Sequence, residues 1–232
     1  MIKTIVTDIE GTTSSIDFVH QVLFPYAAKN LPAFILANHA SSPVKSALQE
    51  VTALTDIASN DIEALITQLL SWIADDQKVT PLKQLQGLVW EYGYRNGDYK
   101  AHIYDDALSA LQHWHQQNIE LYVYSSGSIY AQKLFFGFNE GGDLTGFFKG
   151  YFDTVTGPKR EAQSYQKIQQ AIAKPANEIL FLSDIVEELD AAADIGMHTA
   201  WLQREQGEMT PHARHLCVRS FTEIELTRWD TL

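Results

Sequence analysis

The sequence predicts an α/β protein, a parallel-sheet core interrupted by one inserted, all-helical segment. Two observations carry this expectation. Short apolar runs at 2–7, 119–124, 179–183 and 199–202, with a weaker one at 216–218, scarcely alternate and are separated by helix-like stretches. Strands buried on both faces read this way. Residues 16–100, by contrast, contain no convincing strand. The expected domains are therefore residues 1–15 with 101–232 as the α/β core and residues 16–100 as a helical cap. A chain of 232 residues suits this plan, being long for one minimal domain and short for two full ones.

The core elements are read in order. After the first run, Asp105 is placed to cap a helix with Leu108, Leu111 and Trp114 at helical spacing, leading into the second strand. Residues 161–173 repeat the pattern with Tyr165, Ile168 and Ile172 ahead of the third. From Glu187 the positions Leu189, Ala192 and Ala193 predict a helix that stops at Gly196, read as a C′ glycine. Within the insert, Ser42-Pro43, Asn60 and Thr80-Pro81 each start a helix whose apolar positions recur every three or four residues. No internal repeat and no Gly/Ser-rich linker marks a boundary.

Composition excludes several classes. With 45% hydrophobic residues the chain can bury a sizeable core. Its 17 Lys+Arg against 29 Asp+Glu leave a net charge of −12, which argues against a nucleic-acid partner. Any anionic substrate must then be captured by local cations rather than by the whole-molecule field. The one cysteine, Cys217, cannot form an internal disulfide. No apolar run approaches the length of about 18 residues that a membrane span needs, and no signal-like segment precedes the first strand. A cytoplasmic protein without membrane partners is expected.

Four motifs carry chemistry. In "TIVTDIEGTTSS", residues 4–15, a β-branched strand ends in Asp8 and Glu10 and runs into a loop of small hydroxyl residues. Carboxyl ends of parallel strands face the crevice where ligands bind. Two carboxylates this close repel unless they share a cation or a proton, and Mg²⁺ suits all-oxygen ligands. A turn-starting Asp and a solvated Glu are the alternative. In "LYVYSSGS", residues 121–128, small hydroxyls at a strand-to-helix turn form a phosphate cradle, although Ser128 also reads as a simple N-cap. In "TGPKREAQSY", residues 156–165, Lys159 stands where a helix is expected to begin. A cation there opposes the helix dipole and favours an anionic partner, a solvated lysine being the alternative. In "ILFLSDIVEELDAA", residues 179–192, Asp184 repeats the strand-end placement of Asp8. Glu187 and Glu188 read as ordinary first-turn acids.

Jointly, and in this order, the four motifs resemble the haloacid-dehalogenase superfamily of phosphohydrolases, with an Asp nucleophile, a Ser/Thr, a Lys and an acidic fourth motif. The implied fold is a Rossmann-like parallel-sheet core of the haloacid-dehalogenase type with an inserted helical cap. The superfamily's phosphatases usually carry Asp two residues after the nucleophile, whereas here Glu10 stands in "DIEGTTSSIDFVHQVLFPY". That stretch, with "YSSGSIYAQKLFFG" and "FDTVTGPKREAQSYQKI", resembles the enolase-phosphatase family of methionine salvage.

This resemblance implies conversion of a 2,3-diketo-5-methylthiopentyl phosphate to an acireductone by enolisation and dephosphorylation, with Mg²⁺ as cofactor. It implies Asp8 as nucleophile and Glu10 as acid and base, with Ser125, Ser126 and Lys159 on the phosphate. It also implies Asp8, Asp184 and the backbone carbonyl of Glu10 on the metal. A monomer is expected on the same resemblance. In the cap, Phe18, Phe24 and Tyr26 are read either as a wall for the thioether or as cap core. Arg95 and Lys100 are read as solvated cations, and His102 as a neutral buried histidine. The alternatives are a related phosphatase for another small phosphomonoester, a haloacid dehalogenase, and a silent phosphate-binding relative. The last is disfavoured because Asp8, Lys159 and Asp184 are all present.

Overall fold

Thr4, Ile5, Val6 and Thr7 are all β-branched and wholly buried, and they form β1 (Thr4–Thr7), an interior strand of a six-stranded sheet. The other strands are β2 (Glu120–Tyr124), β3 (Phe148–Phe152), β4 (Ile179–Ser183), β5 (His198–Leu202) and β6 (Leu216–Val218). Their order is β3-β2-β1-β4-β5-β6, and every pairing is parallel. The computed structural model describes residues 1–205 and 207–230. Residues 206, 231 and 232, which fall in the segment expected to complete the core, lie outside the described residues.

The chain divides into two compact units, Met1–Ile16 with Ala101–Leu232, and Asp17–Lys100. The second is helical. It contains most of α1 (Ile16–Phe18), a π-helical turn (Val19–Leu23), α2 (Phe24–Asn38), α3 (Ser42–Leu54), α4 (Ile62–Ala74) and α5 (Thr80–Asn96). Its core is built from single helix faces, among them Ala27, Leu31 and Ile35 of α2 and Leu65 and Leu69 of α4. The first unit adds α6 (Asp105–Gln116), α7 (Ile129–Gly137), α8 (Ala162–Ile172) and α9 (Val186–Ala193) around the sheet. Tyr165, Ile168 and Ile172 of α8 pack with Leu189 and Ala192 of α9 against Phe181 of β4. No helix among the described residues is long and apolar enough to cross a membrane.

The expected strands all form, and β3, α1 and α2 are among the elements that go beyond the sequence reading. β3 is an edge strand, bonded only to β2 with a register shift between Leu121 and Tyr122, and its Lys149-Gly150 centre hides the apolar pattern. α1 is a three-residue helix, too short for its periodicity to register. α2 carries Pro25 in its first turn and Pro32 in its interior, and the second reads as a helix breaker. The buried spacing of Ala27, Leu31 and Ile35 holds the helix together despite the missing N–H.

Four helix starts shift by one residue. The cap of α6 is Tyr104 rather than Asp105, and those of α3 and α5 are Ser41 and Val79 without side-chain hydrogen bonds. Asp61, not Asn60, caps α4, accepting from the Ala64 N–H at 3.0 Å. The helix after Lys159 begins only at Ala162, so the lysine lies in the preceding loop and not at the helix start. Gly196 does adopt a left-handed φ of 89°, but two residues past the α9 C-cap, Asp194.

The aromatic residues singled out in the insert serve its own packing. Phe24 stacks on Trp90 with centroids 6.5 Å apart, the Tyr26 hydroxyl donates to Asp98 Oδ2 at 2.6 Å, and Phe18 meets the Tyr99 ring edge-on at 6.2 Å. Arg95 pairs with Glu91 one turn back in α5, at 2.8 Å on the surface. His102 is half-buried, its Nδ1 3.2 Å from both Ser14 Oγ and the Ser15 N–H nitrogen.

Candidate active site

Topology brings the chemistry together. β1 lies between β2 and β4, so the residues that follow these three strands, Asp8, Ser125 and Asp184, emerge side by side at their carboxyl ends. The Asp8 N–H donates to the Leu182 carbonyl at 2.9 Å, which ties the start of the first loop to β4.

That loop is tightly determined. The Ile9 carbonyl accepts from the Thr12, Thr13 and Ser14 N–H groups at 3.2, 2.9 and 2.9 Å. Thr13 Oγ1 donates to the Asp8 carbonyl at 2.6 Å and Thr7 Oγ1 does so at 2.9 Å. Gly11 takes φ +72°, and a Cβ added there would lie 2.1 Å from Asp184 Oδ2. Only glycine lets the loop turn left-handed while Asp184 sits against it. The small residues of "GTTSS" are thus the local reason that two carboxylate motifs converge.

Lys159 arrives from the loop between β3 and α8. Tyr124 Oη donates to the Gly157 carbonyl at 2.9 Å, Ser164 Oγ to Pro158 at 2.7 Å and Tyr165 Oη to Lys159 at 2.7 Å, so three successive carbonyls of this loop are held by hydroxyls. The ammonium reaches Asp8 Oδ1 at 2.7 Å and Glu188 Oε2 at 2.7 Å. Burial opposes its charge, but Asp8 and Glu188 outweigh that cost and hold its pKa above the ordinary lysine value.

The carboxyl groups outnumber the cation. Asp8, Glu10, Asp184 and Glu188 all feel the field of the one Lys159 ammonium. Burial and then Asp8 raise the Glu10 pKa. The same two causes push Asp184 up to about 6 and Glu188 up to about 7. Asp184 Oδ1 is buried and has no hydrogen-bond partner among the described residues. An excess of buried carboxyl oxygens with one left unpartnered is the donor chemistry of a hard divalent cation. No three His, Cys, Asp or Glu side chains among the described residues form a metal-binding group by themselves, and the Glu10 side chain turns elsewhere, accepting from Ser125 Oγ at 3.0 Å.

The second motif splits its serines. Ser125 is wholly buried, receives the Gly127 N–H at 3.1 Å and donates to Glu10. Ser126 is exposed in the same turn. Ser128 is the N-cap of α7, its Oγ accepting from the Ala131 N–H at 3.2 Å. Glu188, read from sequence as a helix-start acid, is instead buried and held by Lys159 and by Ser183 Oγ, which donates to it at 2.9 Å. No local signal separates it from Glu187, because Asp184 lies before α9 begins and fixes no face of that helix.

This arrangement places a carboxylate, an ammonium and a second carboxyl group around one strand end. A family model described as haloacid dehalogenase-like hydrolase matches residues 2–196. The chain belongs to the haloacid dehalogenase-like hydrolases. Among curated relatives, Enolase-phosphatase E1 of Pseudomonas syringae pv. syringae (strain B728a) is 57% identical over 227 residues, covering 97% of each chain. Enolase-phosphatase E1 of Pseudomonas savastanoi pv. phaseolicola (strain 1448A / Race 6) is 59% identical over 224 residues, with the same coverage. Among solved structures, the UTR4 protein of Saccharomyces cerevisiae superposes with a TM-score of 0.83 at 36% identity, over 97% of this chain and 100% of that one. The expected fold class is thus met by both sheet topology and family, and the hydrolase carries its Asp8–Lys159–Glu188 contacts at the sheet's carboxyl edge.

Proposed function

We infer that this hydrolase is an enolase-phosphatase of methionine salvage. It converts 2,3-diketo-5-methylthiopentyl-1-phosphate to the acireductone 1,2-dihydroxy-3-keto-5-methylthiopentene and phosphate. The observation that carries the reading is Asp8 held at one oxygen by Lys159 beside a half-buried Glu10 of raised pKa. Near-full-length similarity to relatives named Enolase-phosphatase E1 supports the substrate.

Lys159 holds Asp8 Oδ1, which leaves Oδ2 to attack phosphorus. The new bond joins Oδ2 to phosphorus as the ester P–O bond breaks, splitting one hard displacement into two steps. Glu10, whose pKa burial and Asp8 raise, gives a proton to the leaving oxygen. As carboxylate it then takes a proton from the water that hydrolyses the aspartyl-phosphate, releasing phosphate and restoring Asp8. Ser125 and Ser126 bind phosphoryl oxygens, Ser125 exchanging its bond to Glu10 for one to the substrate. Lys159 balances the charge that accumulates between nucleophile and phosphate.

Mg²⁺ is the cofactor that suits these oxygen donors, held by Asp8, Asp184 and the Glu10 carbonyl, and when bound it neutralises charge on the phosphoryl group. Enolisation needs a base beside the substrate carbonyl, and Glu10 is assigned that role too: as carboxylate, with a neutral hydroxyl for its side-chain partner, it takes the proton that it later gives to the leaving oxygen. The helical unit, Asp17–Lys100, is assigned the part of the cap that reads the methylthio group. The protein acts as a cytoplasmic monomer in this reading.

Anaerobic incubation with the diketo phosphate and Mg²⁺, following enol absorbance and free phosphate together, tests the assignment. Both signals are expected, and both vanish on adding EDTA. An inert diketo phosphate alongside rapid hydrolysis of simple phosphomonoesters would replace the substrate while leaving the phosphatase chemistry in place.

A further inference from the structure

The segment after β5 carries no readable motif, yet Arg204 reaches from it back to the loop that bears Asp8 and Glu10. Its side chain is 10% exposed. Nε and Nη2 both donate to the Thr12 carbonyl, at 3.0 and 2.8 Å. Nη1 donates to Asp106 Oδ1 and Oδ2 at 2.9 and 2.7 Å, and to the Arg219 carbonyl at 3.2 Å. The guanidinium carbon lies 4.2 Å from the Tyr104 ring centroid and 5.1 Å from that of Phe221.

Asp106 is itself fixed. It accepts from the Phe221 N–H at 2.7 Å and from Ser220 Oγ at 3.0 Å. Burial opposes its charge, and the Phe221 N–H and Arg204 outweigh that, holding its pKa below the ordinary aspartate value. On the adjacent residue of the loop, the Tyr104 N–H donates to the Thr13 carbonyl at 3.1 Å. Two segments distant in sequence therefore hold two carbonyls, two and three residues beyond Glu10, and a third, at residues 219–221, braces Arg204 and Asp106. Inside the loop the Ile9 carbonyl gathers three N–H groups, and outside it Arg204 and Tyr104 take the carbonyls that point away.

We infer that Arg204, braced by Asp106, is a positioning residue that fixes the loop of residues 8–14 through the Thr12 carbonyl and so holds Glu10 in register with Asp8. The inference rests on the roles assigned above to Asp8 and Glu10. A planar fork is required, because one face of it must meet a carbonyl with two N–H groups while the other meets a carboxylate. A lysine keeps the charge and reaches one partner at a time.

The test is Arg204→Lys in the full chain, read by amide hydrogen exchange over residues 8–15 and by steady-state kinetics on the diketo phosphate with Mg²⁺. The amides of Thr12, Thr13 and Ser14 are expected to exchange faster while β1 and β4 stay protected. The kcat is expected to fall roughly 10- to 100-fold with little change in KM, the signature of misplacement rather than lost binding. Asp106→Asn, which keeps an acceptor for Phe221 and Ser220 but removes the brace, is expected to show the same pattern and decides the matter if the lysine variant does not fold. Arg214→Ala, which removes a surface cation paired with Asp190 and Asp194, serves as the control with wild-type kinetics. Wild-type exchange and kcat in both variants would overturn the inference. So would a loss of protection spread evenly through β1 and β4, which marks a purely structural role. A wild-type protein inert toward the diketo phosphate would sink the reaction assignment instead, and the exchange measurement would still judge the clamp.

Discussion

Lys159 Nζ lies 2.7 Å from Asp8 Oδ1 in a setting where the lysine side chain is only 7% exposed. A buried ammonium is costly unless paired, and a buried carboxylate equally so. The pair also leaves one face of the Asp8 carboxylate uncommitted while restraining the other. The contact therefore aims a nucleophile as well as stabilising a charge, and Glu188, also 2.7 Å from the nitrogen, keeps the lysine from swinging away.

Replacing Lys159 by Met keeps most of the volume and removes the charge. Asp8 and Glu188 are left facing each other without a cation. Activity is expected to fall by about 100-fold or more, and stability by about 3 kcal/mol, as when one partner of a buried pair is deleted. Phosphate release and denaturant unfolding measure the two effects. Unchanged turnover would remove Lys159 from the site.

Glu10→Gln preserves the shape of the side chain and its capacity to accept from Ser125, but neither gives nor takes a proton. Both enol formation and phosphate release are expected to drop by about 100-fold or more. Retention of either signal at the wild-type rate would separate the two proton-transfer roles and assign the retained one to another group.

The raised carboxyl groups give a pH signature. Asp184 rises from 3.8 to about 6 and Glu188 from 4.5 to about 7. A raised folded pKa means the folded state prefers the proton. The stability these groups contribute is thus complete below their ordinary values and is lost as pH climbs through 6 and 7. A divalent cation supplies the missing positive charge where the carboxylates are ionised. The gain in Tm on adding Mg²⁺, relative to EDTA, is expected to be larger at pH 8 than at pH 5. Equal gains at both pH values would dissociate the metal from these groups.

Gly11 offers a backbone test. At φ +72°, with a Cβ only 2.1 Å from Asp184 Oδ2, Gly11→Ala must strain the loop and displace the aspartate. A stability loss of about 1–2 kcal/mol is expected from the left-handed backbone, with kcat reduced more than KM is raised. Thermal melts and kinetics on the purified variant report both.

Much of this was legible in the sequence because strand-end chemistry leaves local marks. β4 and β6 coincide with their apolar runs, and Asp8 and Asp184 each follow a strand directly. What stayed hidden depends on tertiary context. Pro32 reads as a breaker until Ala27, Leu31 and Ile35 are seen buried on one helix face. Lys159 reads as a helix-start cation, although α8 begins three residues later and the loop is shaped by hydroxyls of Tyr124, Ser164 and Tyr165. Glu188 is indistinguishable from its neighbour Glu187 until α9 turns one of them toward Lys159. Arg204 has no local signal at all, since Asp106 and the Thr12 carbonyl, which it joins, lie 98 and 192 residues away.

The central claim is that Asp8 carries the phosphoryl group. Rapid mixing of enzyme with the diketo phosphate and Mg²⁺, followed by acid quenching and peptide mass spectrometry, reads it directly. The account predicts one phosphoryl group on Asp8 during turnover, absent from Asp8→Asn, which also releases no phosphate. Phosphate release at the wild-type rate from Asp8→Asn, with no phosphorylated peptide spanning Thr4–Thr7 and the following loop at any quench time, would contradict it.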